Sequence, residues 1–413
     1  PMGLHERTIG RLPRPWRVIA DWALTIAVAL GVVLVAQAGW LLRSFLRMSR
    51  ADLGFRSSGI VEIPLSMPAR SGGAAAGTEA AAWNHRVEAL RASLAGTRGV
   101  LGATFGLSMP LQWVGGGRCC WSTRPVFAGS DRPILSSVTH PVSDGFFDVF
   151  GIRFLAGAPW PPGVPSRPPY PAVINEALAV EAYGSAGAAL GNSFALGQGT
   201  FRIVGVVRNT RHYGVDQPQG PGLYIPTSTM PFAPEDVTLA VRTDRTDNLL
   251  ASDLRAAIWR VEPGLPVPAL NTMTDLARRD TANRRFDALL FTAFSAVALL
   301  LVAGGLAGTL LYLVSLERRS LGIRLAFGAT PAHLQRGVIA RGVLLAGIGV
   351  IIGTIGAWFA GRLIESRLYG VDARDAGTLG LAASVLMLIA LLASWAPARR
   401  AAVTDPIESL RAD

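Results

Sequence analysis

Four stretches of this chain carry no charged side chain at all: residues 22–42, 288–316, 342–361 and 376–398. About 20 consecutive apolar residues of helix cross the hydrocarbon core of a bilayer. One such run could be a buried core helix, but four in one chain read as membrane spans. The second run is the longest and can tilt or project beyond the lipid. The first is too long for the apolar segment of a secretory signal peptide. Arg43, Arg47 and Arg50 follow it directly, so it reads as a retained span.

Charge is correspondingly scarce: 16% of residues are charged, against roughly 25% in an ordinary soluble domain. The net charge is +11, and every one of the 39 basic residues is arginine. The arginines gather beside apolar runs and are not interleaved with stacking aromatics, so no nucleic-acid partner is expected. Without lysine the chain cannot supply a Walker A lysine to nucleotide phosphates, and it is not expected to hydrolyse ATP itself. Cys119 and Cys120 are neighbours without metal-ligand spacing and read as free thiols. The basic residues of the short loops tip the orientation slightly toward a cytoplasmic N-terminus. Four spans then place both termini on one side, with lipid as an obligate partner.

Between the first two spans lies a folded segment rich in Gly and Pro. Strands are expected at 61–65, 101–107, 201–207, 223–225 and 237–242, and a strand running into a helix at 172–183. An amphipathic helix is expected at 82–94, with Trp83, Val87, Leu90 and Leu94 on one stripe. Another is expected at 247–261, stopped by Pro263-Gly264. Phe146, Phe147, Val149 and Phe150 form an apolar cluster, and 115–133 and 156–171 read as loops. The expected fold is an α-helical membrane protein with four transmembrane helices and a large α+β domain, in two lobes, inserted between helices 1 and 2. Helical pattern from Thr274 into the second span, and Arg43, Arg47 and Arg50 on one face beyond the first, predict stalk helices. The expected boundaries are 1–46 for the N-terminus and first span, 47–285 for the outer domain, 286–398 for spans two to four and 399–413 for the tail.

The last third holds the most specific motifs: Leu321-Gly322-Ile323-Arg324-Leu325-Ala326-Phe327-Gly328-Ala329-Thr330, then Leu368-Tyr369-Gly370-Val371, then Trp395-Ala396-Pro397-Ala398-Arg399-Arg400, and Asp405-Pro406-Ile407-Glu408-Ser409-Leu410. In the outer domain they are joined by Val142-Ser143-Asp144-Gly145-Phe146-Phe147, Val173-Ile174-Asn175-Glu176-Ala177 and Ile203-Val204-Gly205-Val206-Val207. In this order, from about Trp22 onward, the set resembles the FtsX/MacB-like permeases of ABC transporters, and one half of the duplicated members of that family. The resemblance implies a bacterial inner-membrane protein with a periplasmic outer domain and a cytoplasmic coupling segment at 317–336. It also implies a separate ATPase subunit, a homodimer or paired permease, and transport or export by mechanotransmission. On that reading Gly322, Ile323, Arg324, Gly328 and Ala329 are the expected ATPase-coupling residues, with Arg324 pairing to a carboxylate of the partner. Ser320 stands where family members commonly carry Glu, which puts that coupling in question and motivates a second reading, a membrane-anchored sensor or scaffold that has lost its ATPase.

Gly304 and Gly308, and Gly349 and Gly353, are spaced for close helix packing. No span holds an ionisable residue for a proton or ion relay, which argues against a secondary transporter. The five histidines (His5, His85, His140, His212, His333) are scattered, and no hydrolase or metalloprotease motif occurs, so neither a catalytic site nor a cofactor or metal site is expected.

Overall fold

The computed structural model describes residues 14–68, 76–107, 109–111, 121–127, 136–161, 163, 167–217, 219–245, 247, 249–316, 330–365, 368–372 and 375–402. The chain divides into two compact units, one formed by the N-terminal 50 residues with Asn283 onward, the other by Ala51–Ala282.

The first unit contains the apolar runs of four helices long and apolar enough to span a bilayer: α1 (Arg14–Ser49), α7 (Met273–Leu316, whose first residues belong to the second unit), α8 (Pro331–Ile364) and α9 (Ala376–Ala402). The contacts of α1 fix their directions. Gly349 meets Val28 and Gly353 meets Val32, so α8 runs parallel to α1. Gly39 meets Thr378 and Gly31 meets Leu386, so α9 is antiparallel. The Ser295 hydroxyl donates to the Leu34 carbonyl (2.8 Å) and Gly305 lies near Leu24, so α7 is antiparallel too. Val28, Val32, Ala36, Trp40, Val302, Ala357 and Leu386 fill the seam between them. The outward residues are large and apolar, such as Leu300, Leu301 and Leu363, which costs nothing where the solvent is lipid.

The second unit is built on one mixed sheet. Its strands are β1 (Ile60–Ser66), β2 (Val100–Gly106), β3 (Trp121–Thr123), β4 (Val126–Phe127), β5 (Ser137–Val142), β6 (Phe154–Gly157), β7 (Tyr170–Asn175), β8 (Ser193–Leu196), β9 (Gly199–Val207), β10 (Gly222–Pro226), β11 (Asp236–Thr243) and β12 (Asn271–Thr272). The order is β12-β1-β11-β2-β5-β10-β7-β9-β8-β4, with β3 on β5 and β6 on β9. The β5–β10 and β7–β9 pairs are parallel, the others antiparallel.

Two hydrophobic cores make this sheet two lobes. In the first, α2 (Ala76–Ala95) and α6 (Leu250–Val261) cover one face of β1, β11 and β2. Trp83, Val87, Leu90 and Leu94 meet Ile63, Leu239 and Val241 there. A mostly buried ion pair, Arg86 to Glu262 at 2.7 Å, links α2 to the end of α6. In the second lobe, α4 (Glu176–Tyr183) and α5 (Ala186–Ala189) cover Ile174, Phe201, Ile203 and Leu223. Asn175 starts α4: its side-chain oxygen accepts from Leu178 N (3.0 Å) and Gly222 N (2.9 Å), which caps the helix and ties it to β10. The apolar cluster at 146–150 is a short helix, α3 (Phe146–Phe150), entered and left through left-handed glycines, Gly145 and Gly151. Between the lobes β2 and β5 share a single register pair, Gly106 with Val142.

The four spans, the α+β insertion between the first two and all five predicted strands are present. Three readings change. The stretch expected to be a loop at 115–133 contributes β3 and β4, and the one at 156–171 overlaps the end of β6 and the start of β7. The helix expected from 247 begins at Leu250, because Asp247 is turned out to accept the Leu250 N–H (3.0 Å). Finally β5, β6, β8 and β12 lie outside the expected strands: β5 contains Pro141, β6 and β8 are four-residue strands at the margin of the sheet, and β12 has two residues.

Candidate functional site

Among the described residues of the bundle, charge flanks the apolar runs of the helices. Asp21 and Arg43 stand 22 residues apart on α1, about 33 Å of helix, which matches the roughly 30 Å hydrocarbon core. Each makes an ion pair with another helix or loop. Arg341 at the start of the α8 apolar run meets Asp21 at 3.1 Å. Arg43 meets Asp375, which also accepts from the Thr378 N–H (3.0 Å) and hydroxyl (2.6 Å) and so starts α9. One turn further along α1, the Arg47 guanidinium donates to the Gly370 carbonyl. The arginines at 43 and 47 therefore fasten the α8–α9 connection to α1.

Between these ends, contact depends on missing side chains. A Cβ at Gly349 would lie 2.8 Å from the Thr25 carbonyl, and one at Gly353 would lie 2.6 Å from that of Ala29. Backbone cannot retreat from such a clash, so α1 and α8 approach this closely because both positions are glycine. Gly304 and Gly308 differ from that pair: a Cβ at either would meet nothing within 4 Å. Among the described residues nothing lies against the face they present. They lie on α7, whose apolar window is mostly exposed. Gly322, Ile323, Arg324, Gly328 and Ala329 lie outside the described residues, as do Cys119 and Cys120.

The outer domain, in contrast, buries ionisable groups. His140 on β5 and His212, distant in sequence, stack with ring centroids 4.0 Å apart and planes at 21°. His212 Nε2 lies 2.9 Å from the Tyr224 hydroxyl on β10, which also bonds the Thr210 hydroxyl at 2.7 Å. Burial pushes His212 down to about 4, with a Met109 backbone contact pulling weakly the other way. Burial, then the charge of His212, holds His140 well below its usual value. Both rings are thus neutral at physiological pH. In the first lobe Glu62 projects from β1 on the face opposite the core, across from Ala240 and Asn271. Its Oε1 has no hydrogen-bond partner among the described residues, and burial pushes its carboxyl up to about 8.

A cleft of about 310 Å³ opens where the lobes meet, walled by Asn84, His85 and Glu88 of α2 on one side and by Ser143, Asp144 and Thr227 on the other. Its floor is Phe105 and Val142, beside the register pair through which the sheet passes between the lobes. Asp144 accepts from the Trp160 indole N–H at 2.9 Å, and Glu88 is bound by Arg91. Among the described residues no group of three His, Cys, Asp or Glu side chains could hold a metal ion. In the sequence the two histidines stand 72 residues apart. Nothing local signals that residues 140 and 212 meet, since the contact depends on β5 and β10 pairing in parallel.

Comparison with known proteins places both units. Residues 23–257 match the MacB-like periplasmic core domain, and residues 292–406 match the FtsX-like permease C-terminal domain. The macrolide export ATP-binding/permease protein MacB 1 of Aeromonas hydrophila is 28% identical over 301 residues, covering 68% of this chain and 44% of that protein. The pyoverdine export ATP-binding/permease protein PvdT of Pseudomonas syringae pv. tomato is 23% identical over 219 residues, covering 52% of this chain and 33% of that protein. The chain thus spans less than half the length of these relatives. An uncharacterized ABC transporter permease of Bacillus subtilis, YvrN, is 24% identical over 302 residues, with 67% of this chain and 71% of that protein covered. Among solved structures, the periplasmic region of MacB from Actinobacillus actinomycetemcomitans is 13% identical with a TM-score of 0.36, covering 56% of this chain and 96% of that one.

Proposed function

The chain belongs to the MacB-like, FtsX-like family of ABC transporter permeases, and on that premise we propose that it is the permease subunit of a transporter whose ATP hydrolysis is supplied by a separate subunit. It sits in the bacterial inner membrane with the 51–282 unit in the periplasm. The ATPase docks on the segment 317–336 through Gly322, Ile323, Arg324, Gly328 and Ala329, and the permease works as a homodimer or with a second permease. Work passes by mechanotransmission: the outer domain moves as the ATPase cycles, and cargo is exported without a charged path through the spans.

One observation carries this reading. The charge of the bundle stands at two levels about one hydrocarbon thickness apart, paired at both, and the spans between hold no ionisable side chain. A pump driven by protons or ions needs such a group at depth, whereas a bundle that only moves as a body does not. The residues given contain no lysine for a nucleotide phosphate, which supports ATP being bound outside them.

The test is to purify the tagged chain in mild detergent and identify co-purifying proteins by mass spectrometry. A stoichiometric partner carrying a Walker A motif, lost on Arg324→Glu, is the expected result. A clean preparation without an ATPase, repeated after crosslinking in intact cells, would overturn it and favour a membrane-anchored sensor or scaffold.

A further inference from the structure

The outer domain leaves the bundle helices at two places in the chain, just after α1 and just before the apolar run of α7. One segment of the second lobe grips both. Residues 208–217 continue from β9 as a strap without regular secondary structure. At the first connection Arg208 pairs with Asp52 at 2.7 Å, and Arg211 N donates to the Leu53 carbonyl at 3.0 Å. Gly54 fits here only as glycine: its φ is 77°, and a Cβ would lie 2.0 Å from the Asn209 carbonyl. At the second connection Asp280, two turns into α7, accepts the Val215 N–H at 2.5 Å. The Arg211 guanidinium donates to the Val215 (2.5 Å) and Gln217 (3.1 Å) carbonyls, so it holds the strap folded between its two grips.

The inner end of the strap is anchored in the second lobe. The Tyr224 hydroxyl bonds both Thr210 and His212, and the Tyr224 side chain is fully buried. The first lobe reaches the same root of α7 by a separate route, through the β1–β12 pairing and the Thr274 hydroxyl on the Ser57 carbonyl at 3.3 Å. The sheet passes between the two lobes through one register pair, Gly106 with Val142, flanked by the Leu107 N–H to Pro141 and Ser143 N–H to Phe105 backbone hydrogen bonds. Relative movement of the lobes therefore bears on the start of α7 from two sides.

We infer that the 208–217 strap is a transmission element, in which Arg211 and Asp280 are positioning residues that convey displacement of the second lobe, at Tyr224, to the root of α7. The use of such an element rests on the permease reading above. Its existence as a coupled unit does not.

The test therefore uses amide hydrogen exchange on the full chain in lipid nanodiscs, without any ATPase. Asp280→Ala removes the outer grip, and exchange at Val215 is expected to rise about tenfold or more, as for the loss of a hydrogen bond to a charged acceptor. Asp280→Asn, which keeps an acceptor oxygen, is expected to restore much of that protection. Tyr224→Phe removes the inner anchor and is expected to speed exchange across residues 273–282. On the Asp280→Ala background the same change is expected to add nothing there. The inference is overturned if Tyr224→Phe leaves 273–282 unchanged, or acts equally with and without Asp280. It is also overturned if either variant loosens β1 in step with the strap, since that would mean a general loss of folding. Failure here would leave the permease reading standing, and failure to find an ATPase would leave a positive exchange result standing.

Discussion

The bundle and the outer domain handle ionisable groups in opposite ways. In the bundle every described ion pair stands at the end of an apolar run, and the interior is assembled mainly from small residues and aliphatic side chains. In the outer domain Glu62, His140 and His212 are buried in their neutral forms. The difference follows from what surrounds each unit. Lipid gives no hydrophobic reward for association, so bundle helices gain from close contact, and a charge at depth has no water to fall back on. The outer domain is driven together by water, and its apolar burial can carry a few neutral polar groups at a cost. The bundle should therefore break through shape, and the outer domain through pH.

The largest expected effect is steric. Gly353→Leu would place side-chain atoms where the Ala29 carbonyl and Val32 Cβ already lie, 2.6 and 2.7 Å from an added Cβ. Overpacking against immovable backbone costs about 3 kcal/mol or more. Gly308→Leu, at a position with nothing within 4 Å, should cost far less within a single chain. Unfolding of the two variants in bicelles checks this, and equal losses would show that the α1–α8 approach is not what the glycines provide.

Next comes Glu62. Its pKa rises from 4.5 to about 8 on folding, so its contribution to stability is present below 4.5 and lost as pH rises through about 8. Glu62→Gln removes that loss and should raise the unfolding free energy of the outer domain by up to about 3 kcal/mol at pH 7, with no gain near pH 4. Exchange protection of β1 in the full chain, measured at both pH values, is the readout. A gain that does not depend on pH would mean the carboxyl is ionised in the folded protein.

His212 has the opposite sign. Its pKa falls from 6.5 to about 4, so the stability it carries is present above 6.5 and lost as pH falls through about 4. Removing the ring also removes its Tyr224 contact, so the slope and not the level is diagnostic. His212→Gln should flatten the acid limb of the second lobe by about 2 kcal/mol between pH 6.5 and about pH 5. The slope left over belongs to His140, which is displaced in the same direction.

The same contrast explains what could be read from the sequence. A span needs only an uninterrupted run without charge, so the bundle is legible residue by residue, down to Arg43 and Arg47 on one face. The long strands of the first lobe are legible for a similar reason, because β1 and β11 put Val61, Ile63, Leu65 and Val237, Leu239, Val241 at every second position on the core face. What escapes is set by pairing at a distance. Tyr224, His140 and His212 converge only once β5 lies beside β10, and Val215 meets Asp280 across 65 residues. Glycine spacing is the same in both pairs and does not say what each faces: Gly349 and Gly353 face α1, while a Cβ at Gly304 or Gly308 would meet none of the described residues within 4 Å.

The smallest expected effect concerns the ends of the bundle. Arg341 and Asp21 are both about a third exposed, and a pair of this kind contributes about 1 kcal/mol or less. Arg341→Ala should therefore barely change unfolding in bicelles, and added salt should remove most of what change there is. The charge level it marks has a different consequence. Moving the arginine one turn inward, by combining Arg341→Leu with Leu345→Arg, would carry an ion into the apolar stretch without Asp21 beside it. That variant should insert poorly or unfold, because its cost is set by lipid and not by the lost pair. If the two variants were equally stable, the helix ends would not lie at the lipid boundary, and the contrast between a bundle that excludes charge and a domain that buries it would fail.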